Sequence, residues 1–403
     1  MFNLGNNNLE NQDFNSAITH LTKVIKARCN TEREYILRGK AYLGLRKYKE
    51  AIRDLSKAIK IKPDQEEAYA IRGYIYQQSG KYSKALADYT DAVKINDKYA
   101  DGYTLRGLLY SHLTQDKEAI SDFSIAIKLK PHYADNLANK GLSNYRLKKY
   151  NESLIDLDKA ILIDPMNCWS YFWRGCAHKA LSSLAKALID FESAIDLNPR
   201  FEDAYGMRGT IYAQLSDHTK AVSDFTSVTE LNSKNINAFR NRGLSHCILT
   251  DYRRGVADYT KAIELDPKDA IAYCNRGVAN HELKKYPDAI ADYTSAIELD
   301  PENVELYNKR GVVYVALKKY PEAIADYTKA IELVPDDAHA YLMRGTTFRD
   351  LREYPKAIAD LTKGINLFPE FAPAYKFRGD AYKALGKTKE AKADFAKAKA
   401  LEK

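Results

Sequence analysis

Glycine recurs every 34 residues along the whole chain. Gly5, Gly39, Gly73, Gly107, Gly141, Gly175, Gly209, Gly243, Gly277, Gly311, Gly345 and Gly379 keep that spacing without an insertion. Twelve of nineteen glycines share one phase, so the 403 residues form an array of similar units instead of two or three unlike domains. With this glycine at position 8, the chain divides into a partial unit at 1–31, ten full units over 32–371 and a last unit at 372–403.

Position 4 is aromatic in ten of the eleven units from Tyr35 to Tyr375, Leu137 being the exception. Position 20 is Ala, Ser or Gly, position 24 is Tyr, Phe or Leu, and position 27 is Ala, Gly or Val. Apolar residues spaced 4, 8, 11, 14 and then 20, 21, 24, 27, 28 make two helical faces separated by a short polar break, so each unit reads as a helical hairpin. Eight of twelve prolines (Pro63, Pro131, Pro165, Pro199, Pro267, Pro301, Pro335, Pro369) stand at position 32, between one hairpin and the next. Pro287, Pro321 and Pro355 stand at position 18, where a first helical turn tolerates a missing N–H. A helix-interior glycine costs about 1 kcal/mol against alanine, so its repetition at position 8 implies a close helix contact there.

Period 34 with an aromatic at 4, Gly at 8, Tyr at 11, Ala at 20, an aromatic at 24, Ala at 27 and Pro at 32 resembles the tetratricopeptide repeat over the whole chain. The resemblance implies an all-α fold, a right-handed superhelical solenoid of helix-turn-helix hairpins whose first helices line a concave groove. One departure is position 7, where the family usually has Leu: here Arg stands in ten units from Arg38 to Arg378 and Lys140 in the other. Position 23 is Asp in the same eleven units, from Asp54 to Asp394, while the partial unit has Leu4 and His20 and so loses both together. A catalytic pair is needed once and this one occurs eleven times. It reads as a buried ion pair within each unit that fixes register.

Functional candidates are what the repeat leaves unexplained. Of thirty tyrosines, only Tyr74, Tyr99, Tyr133 and Tyr145 fall outside positions 4, 11, 17 and 24. The family resemblance implies that positions 2, 5, 9, 12 and 13 face the groove, with 6 beside them, which places Tyr74 and Tyr145 on that face. Both tryptophans lie on one first helix, where Trp169, Phe172, Trp173 and Cys176 make a stripe at i, i+3, i+4 and i+7 that is separate from the core stripe. Large exposed apolar patches mark partner sites, and Trp leads among hot-spot residues. Asn139, Asn241 and Asn275 at position 6, with Arg240 and Asn308 at position 5, could hold an extended peptide backbone. The expected function is a non-catalytic scaffold binding an extended or helical partner segment along the groove, centred on units five to nine.

The pattern by which relatives bind the C-terminal carboxylate of heat-shock chaperones is matched by no three consecutive units, and Lys376, the one Lys at position 5, is followed by Asp380. That partner is not expected. Net charge runs +9 over 1–150, -6 over 151–350 and +5 over 351–403; the acidic middle interrupts any basic stripe a nucleic acid would need, leaving nucleic-acid binding as the alternative. A second alternative is the non-catalytic repeat region of a larger enzyme. No phosphate loop or nucleophile elbow is present, and Cys247 with His281 supply two metal ligands where three or four are required; neither a cofactor nor a metal is expected. No apolar run reaches the ~18 residues of a membrane span, the start has no signal-like apolar stretch, and five cysteines suit a reducing compartment. A cytoplasmic location is the expectation. Positions 21 and 28 are aliphatic inside the array (Ile290 and Ile297, for example) but Lys392 and Lys399 in the last unit, which reads as a self-capping helix.

Overall fold

A computed structural model describes residues 11–27 and 31–402; Leu4, Gly5 and Cys29 lie outside the described residues. Among the described residues there are 23 α-helices and no strand. The chain forms two compact bodies, residues 1–204 and 205–403. A leading helix, Asn11–Lys26, precedes the hairpins. From residue 32 each unit supplies a first helix of 13 residues and a second of 14, as in Cys168–Ala180 and Leu184–Leu197.

Small and large residues interlock within each hairpin. Ala323 and Tyr327, at positions 20 and 24, are fully buried, and a Cβ on Gly311 would lie 2.7 Å from the Tyr327 ring. The glycine phase therefore records contact between the two helices of one hairpin.

The break between the helices is a Schellman turn. In unit 8 the Thr250 N–H donates to the Cys247 carbonyl (2.9 Å) and the Asp251 N–H to the His246 carbonyl (2.8 Å), which places Thr250 in the left-handed region at φ +62°. Gly80 and Gly386 fill the equivalent place in two units, but Arg46, Thr114, Lys148, Ser182, Ser216, Thr250, Lys284, Lys318 and Arg352 hold the same conformation without being glycine. An L-residue there costs roughly 1–2 kcal/mol, and a β-branched one is the least suited. We expect Thr250→Gly to raise stability by about 1 kcal/mol, read as an increased denaturant midpoint.

The expected ion pairs form within each of the eleven units from residue 32 onward. Arg276 Nη2 donates to Asp292 Oδ1 at 2.6 Å, and pairs sixteen residues apart repeat this from Arg38–Asp54 to Arg378–Asp394. Where Lys140 replaces arginine it reaches only Asp156 Oδ1, at 3.1 Å, and Asn144 takes the other oxygen at 2.9 Å. Most forks have a third prong; that of Arg174 goes to the Asp158 carboxylate (2.8 Å). Arg276 Nη1 donates to Thr260 Oγ1 in the preceding unit (3.1 Å), and Arg38, Arg72, Arg106, Arg242, Arg310, Arg344 and Arg378 likewise reach a Thr or Ser hydroxyl sixteen residues upstream. One guanidinium thus closes its own hairpin and ties it to its neighbour.

Candidate functional site

The aromatic cluster of the first body is built on the helix Cys168–Ala180, started by the Asn167 side chain, which accepts from the Trp169 and Ser170 amides. Trp169 is 49% exposed. Its ring meets the Phe201 ring edge-on at 4.5 Å and the Phe172 ring at 5.9 Å. Trp173 is half-buried, 5.6 Å from the Tyr145 ring of the preceding hairpin and 4.9 Å from Phe172. Two tryptophans and Tyr145 therefore run across two adjacent first helices.

Phe172 and Cys176 do not belong to an exposed stripe. Each is 3% exposed; Phe172 is enclosed by Phe191 at 5.8 Å and Phe201 at 4.9 Å, and burial pushes the Cys176 thiol up to about 12. Phe172 is covered because position 5 lies against position 34 of the same unit, the residue that starts the next hairpin. The same pairing recurs with other chemistry. Arg240 approaches Asp269 at 3.4 Å, and Asn308 Nδ2 donates to Asp337 Oδ2 at 2.9 Å, so both are committed to the seam and Asn308 is buried. Where position 5 shrinks to Ala70, Tyr99 packs in the same core cluster. In these units a large or complementary residue at 34 answers position 5, a readable signal for assigning Phe172, Arg240 and Asn308 to packing, while elsewhere Asn167 and Asn235 at position 34 cap the next helix instead.

The remaining candidates are spread out. Asn139 Nδ2 donates to the Asp135 carbonyl of its own helix (2.7 Å); Asn275 is half-buried and Asn241 exposed. Tyr74 is half-buried against the core of the first hairpins. Cys247 is half-buried, and burial pushes its thiol up to about 11, so neither thiol is a thiolate at neutral pH. Among the described residues no three His, Cys, Asp or Glu side chains come together as a metal site, and no helix is long and apolar enough to cross a membrane.

Models of the TPR repeat match residues 39–80, 73–113, 251–284 and 279–318, and models of the tetratricopeptide repeat match 304–337, 170–201, 202–235 and 372–403. Together these matches cover more than half of the chain. No curated protein matches it. Similar solved structures include MamA, 28% identical over a match covering 40% of this chain and 94% of that one, with a TM-score of 0.39. YrrB, described as a TPR protein with an unusual peptide-binding site, is 21% identical, with 46% and 95% covered and a TM-score of 0.43. The Cut9–Hcn1 hetero-tetramer of the APC/C is 16% identical, with 97% and 90% covered and a TM-score of 0.45.

Proposed function

The chain belongs to the tetratricopeptide-repeat family, whose fold generally serves as a protein-interaction scaffold, and from that premise we propose that it is non-catalytic and holds an extended or helical partner segment on its first helices at unit 6. The observation that carries this reading is Trp169, a half-exposed indole backed by the Phe201 and Phe172 rings. Rings so held lose little freedom on binding, which is what makes an aromatic anchor effective. Trp173 and Tyr145 extend the apolar surface toward unit 5. Asn139 lies on the same first helix as Tyr145, and Tyr74, further back in the same body, is a secondary contact for a longer segment; Asn241 and Asn275 belong to the second body and are separate candidates there.

The only two tryptophans of the protein, Trp169 and Trp173, report on this place directly. Peptides selected from a displayed random library against the full chain are expected to shift the tryptophan emission on titration and to lose about 2 kcal/mol or more of affinity against Trp169→Ala. Selected peptides that bind with unchanged emission and bind Trp169→Ala equally well would place the binding surface elsewhere.

A further inference from the structure

The second helices carry an apolar surface that the hairpin core does not use. Leu162, Met166, Ile189 and Ile155 are, at 83%, 74%, 62% and 55%, the four most exposed large apolar side chains among the described residues. All four lie in one stretch of the first body: Ile155 and Leu162 on Tyr150–Ile163, Met166 in the turn after it, and Ile189 on Leu184–Leu197. Elsewhere the Leu162 position (29) is Lys26, Lys60, Lys94, Lys128 and Asp196 in this body. The unit before Leu162 thus offers exposed Lys128, and the unit after it exposed Asp196.

We propose that this outer face binds a second copy of the chain, antiparallel, about a two-fold axis at Leu162. A two-fold interface must complement itself, and this surface does. Reversing the order of units exchanges Lys128 with Asp196, so each copy's lysine meets the other's aspartate, and Leu162 and Met166 meet their own counterparts at the centre. Apolar contact supplies affinity while the flanking charges set the antiparallel register. A parallel arrangement would set lysine on lysine. Leu162 lies on a second helix and Trp169 on the first helix that follows the Met166 turn.

The test is the mass of the full chain by analytical ultracentrifugation across concentration, with circular dichroism confirming that each variant is folded. The wild type is expected to be a dimer at tens of micromolar, and Leu162→Glu and, separately, Met166→Glu to halve the mass. Glu stands at position 29 in Glu230 and Glu264 and at position 33 in Glu302, so the hairpin accepts both changes. Lys128→Glu alone and Asp196→Lys alone should each weaken association by roughly tenfold, and the double exchange should restore it, because it recreates the complementarity with reversed sign. A monomeric wild type, a folded Leu162→Glu that remains dimeric, or a double exchange no better than the single variants would each overturn the proposal.

Discussion

Asp292→Ala is expected to lower stability by about 3 kcal/mol, because it takes the counter-charge from the partly buried Arg276 guanidinium and the acceptor from the buried Asn280 amide. The Asp292 side chain is 5% exposed. Arg276 binds it through Nη2 at 2.6 Å and Nε at 3.0 Å, and Asn280 Nδ2 donates to Oδ2 at 2.9 Å. Removing the acid therefore strands two sets of donors at once. With Asn280, the other donor to Asp292, also made Leu, replacing both charged partners by apolar residues of similar volume, Arg276→Met with Asp292→Leu, is expected to recover most of the loss, since the desolvation of a buried pair roughly offsets its attraction. Denaturant unfolding of the single and combined variants checks both statements. A combined variant as unstable as the single one would mean that the pair is a net source of stability and not mainly a device of register.

Phe172→Ala is expected to destabilise by about 3–5 kcal/mol, as for a fully packed phenylalanine, whereas Trp169→Ala, three residues earlier, should stay within about 0.5–1 kcal/mol. Trp173→Ala should fall between them, since its ring is wedged against Tyr145. The contrast separates packing from recognition on one helix. If Trp169→Ala unfolds the protein as readily as Phe172→Ala, its ring is part of the core and the proposed anchor is lost.

This pair of neighbours also shows what was legible in the chain. Periods of 34 and 3.6 residues were enough to locate the helices, the glycine contact and the Arg–Asp pairing, because each is repeated until chance is excluded. They were not enough to say which member of an aromatic stripe is covered. Phe172 is hidden by Phe201, a residue from the end of its unit that helical periodicity assigns to no face. The left-handed turns were similarly silent, since nine of the eleven residues that adopt them are not glycine. Their hydrogen bonds and the flanking helices hold the backbone there against its local preference. The hydroxyls that receive the third prong of eight arginines were visible as Thr or Ser at one phase, but their role depends on stacking between units.

That third prong has a consequence for how the array comes apart. In a simple stacked array the energy of each element and that of each junction are separate quantities, and melting can stop at any junction. Here one guanidinium enters both quantities, so an opening junction loosens the element behind it and unravelling tends to run on. Lys140 is an interruption: a lone ammonium on Asp156 has no second arm to reach the Ser124 hydroxyl of the preceding unit. At that junction the two energies separate again, which should make it a firebreak: fraying that starts near the beginning of the chain is expected to stop before the elements that carry Trp169, read as a step in amide hydrogen exchange.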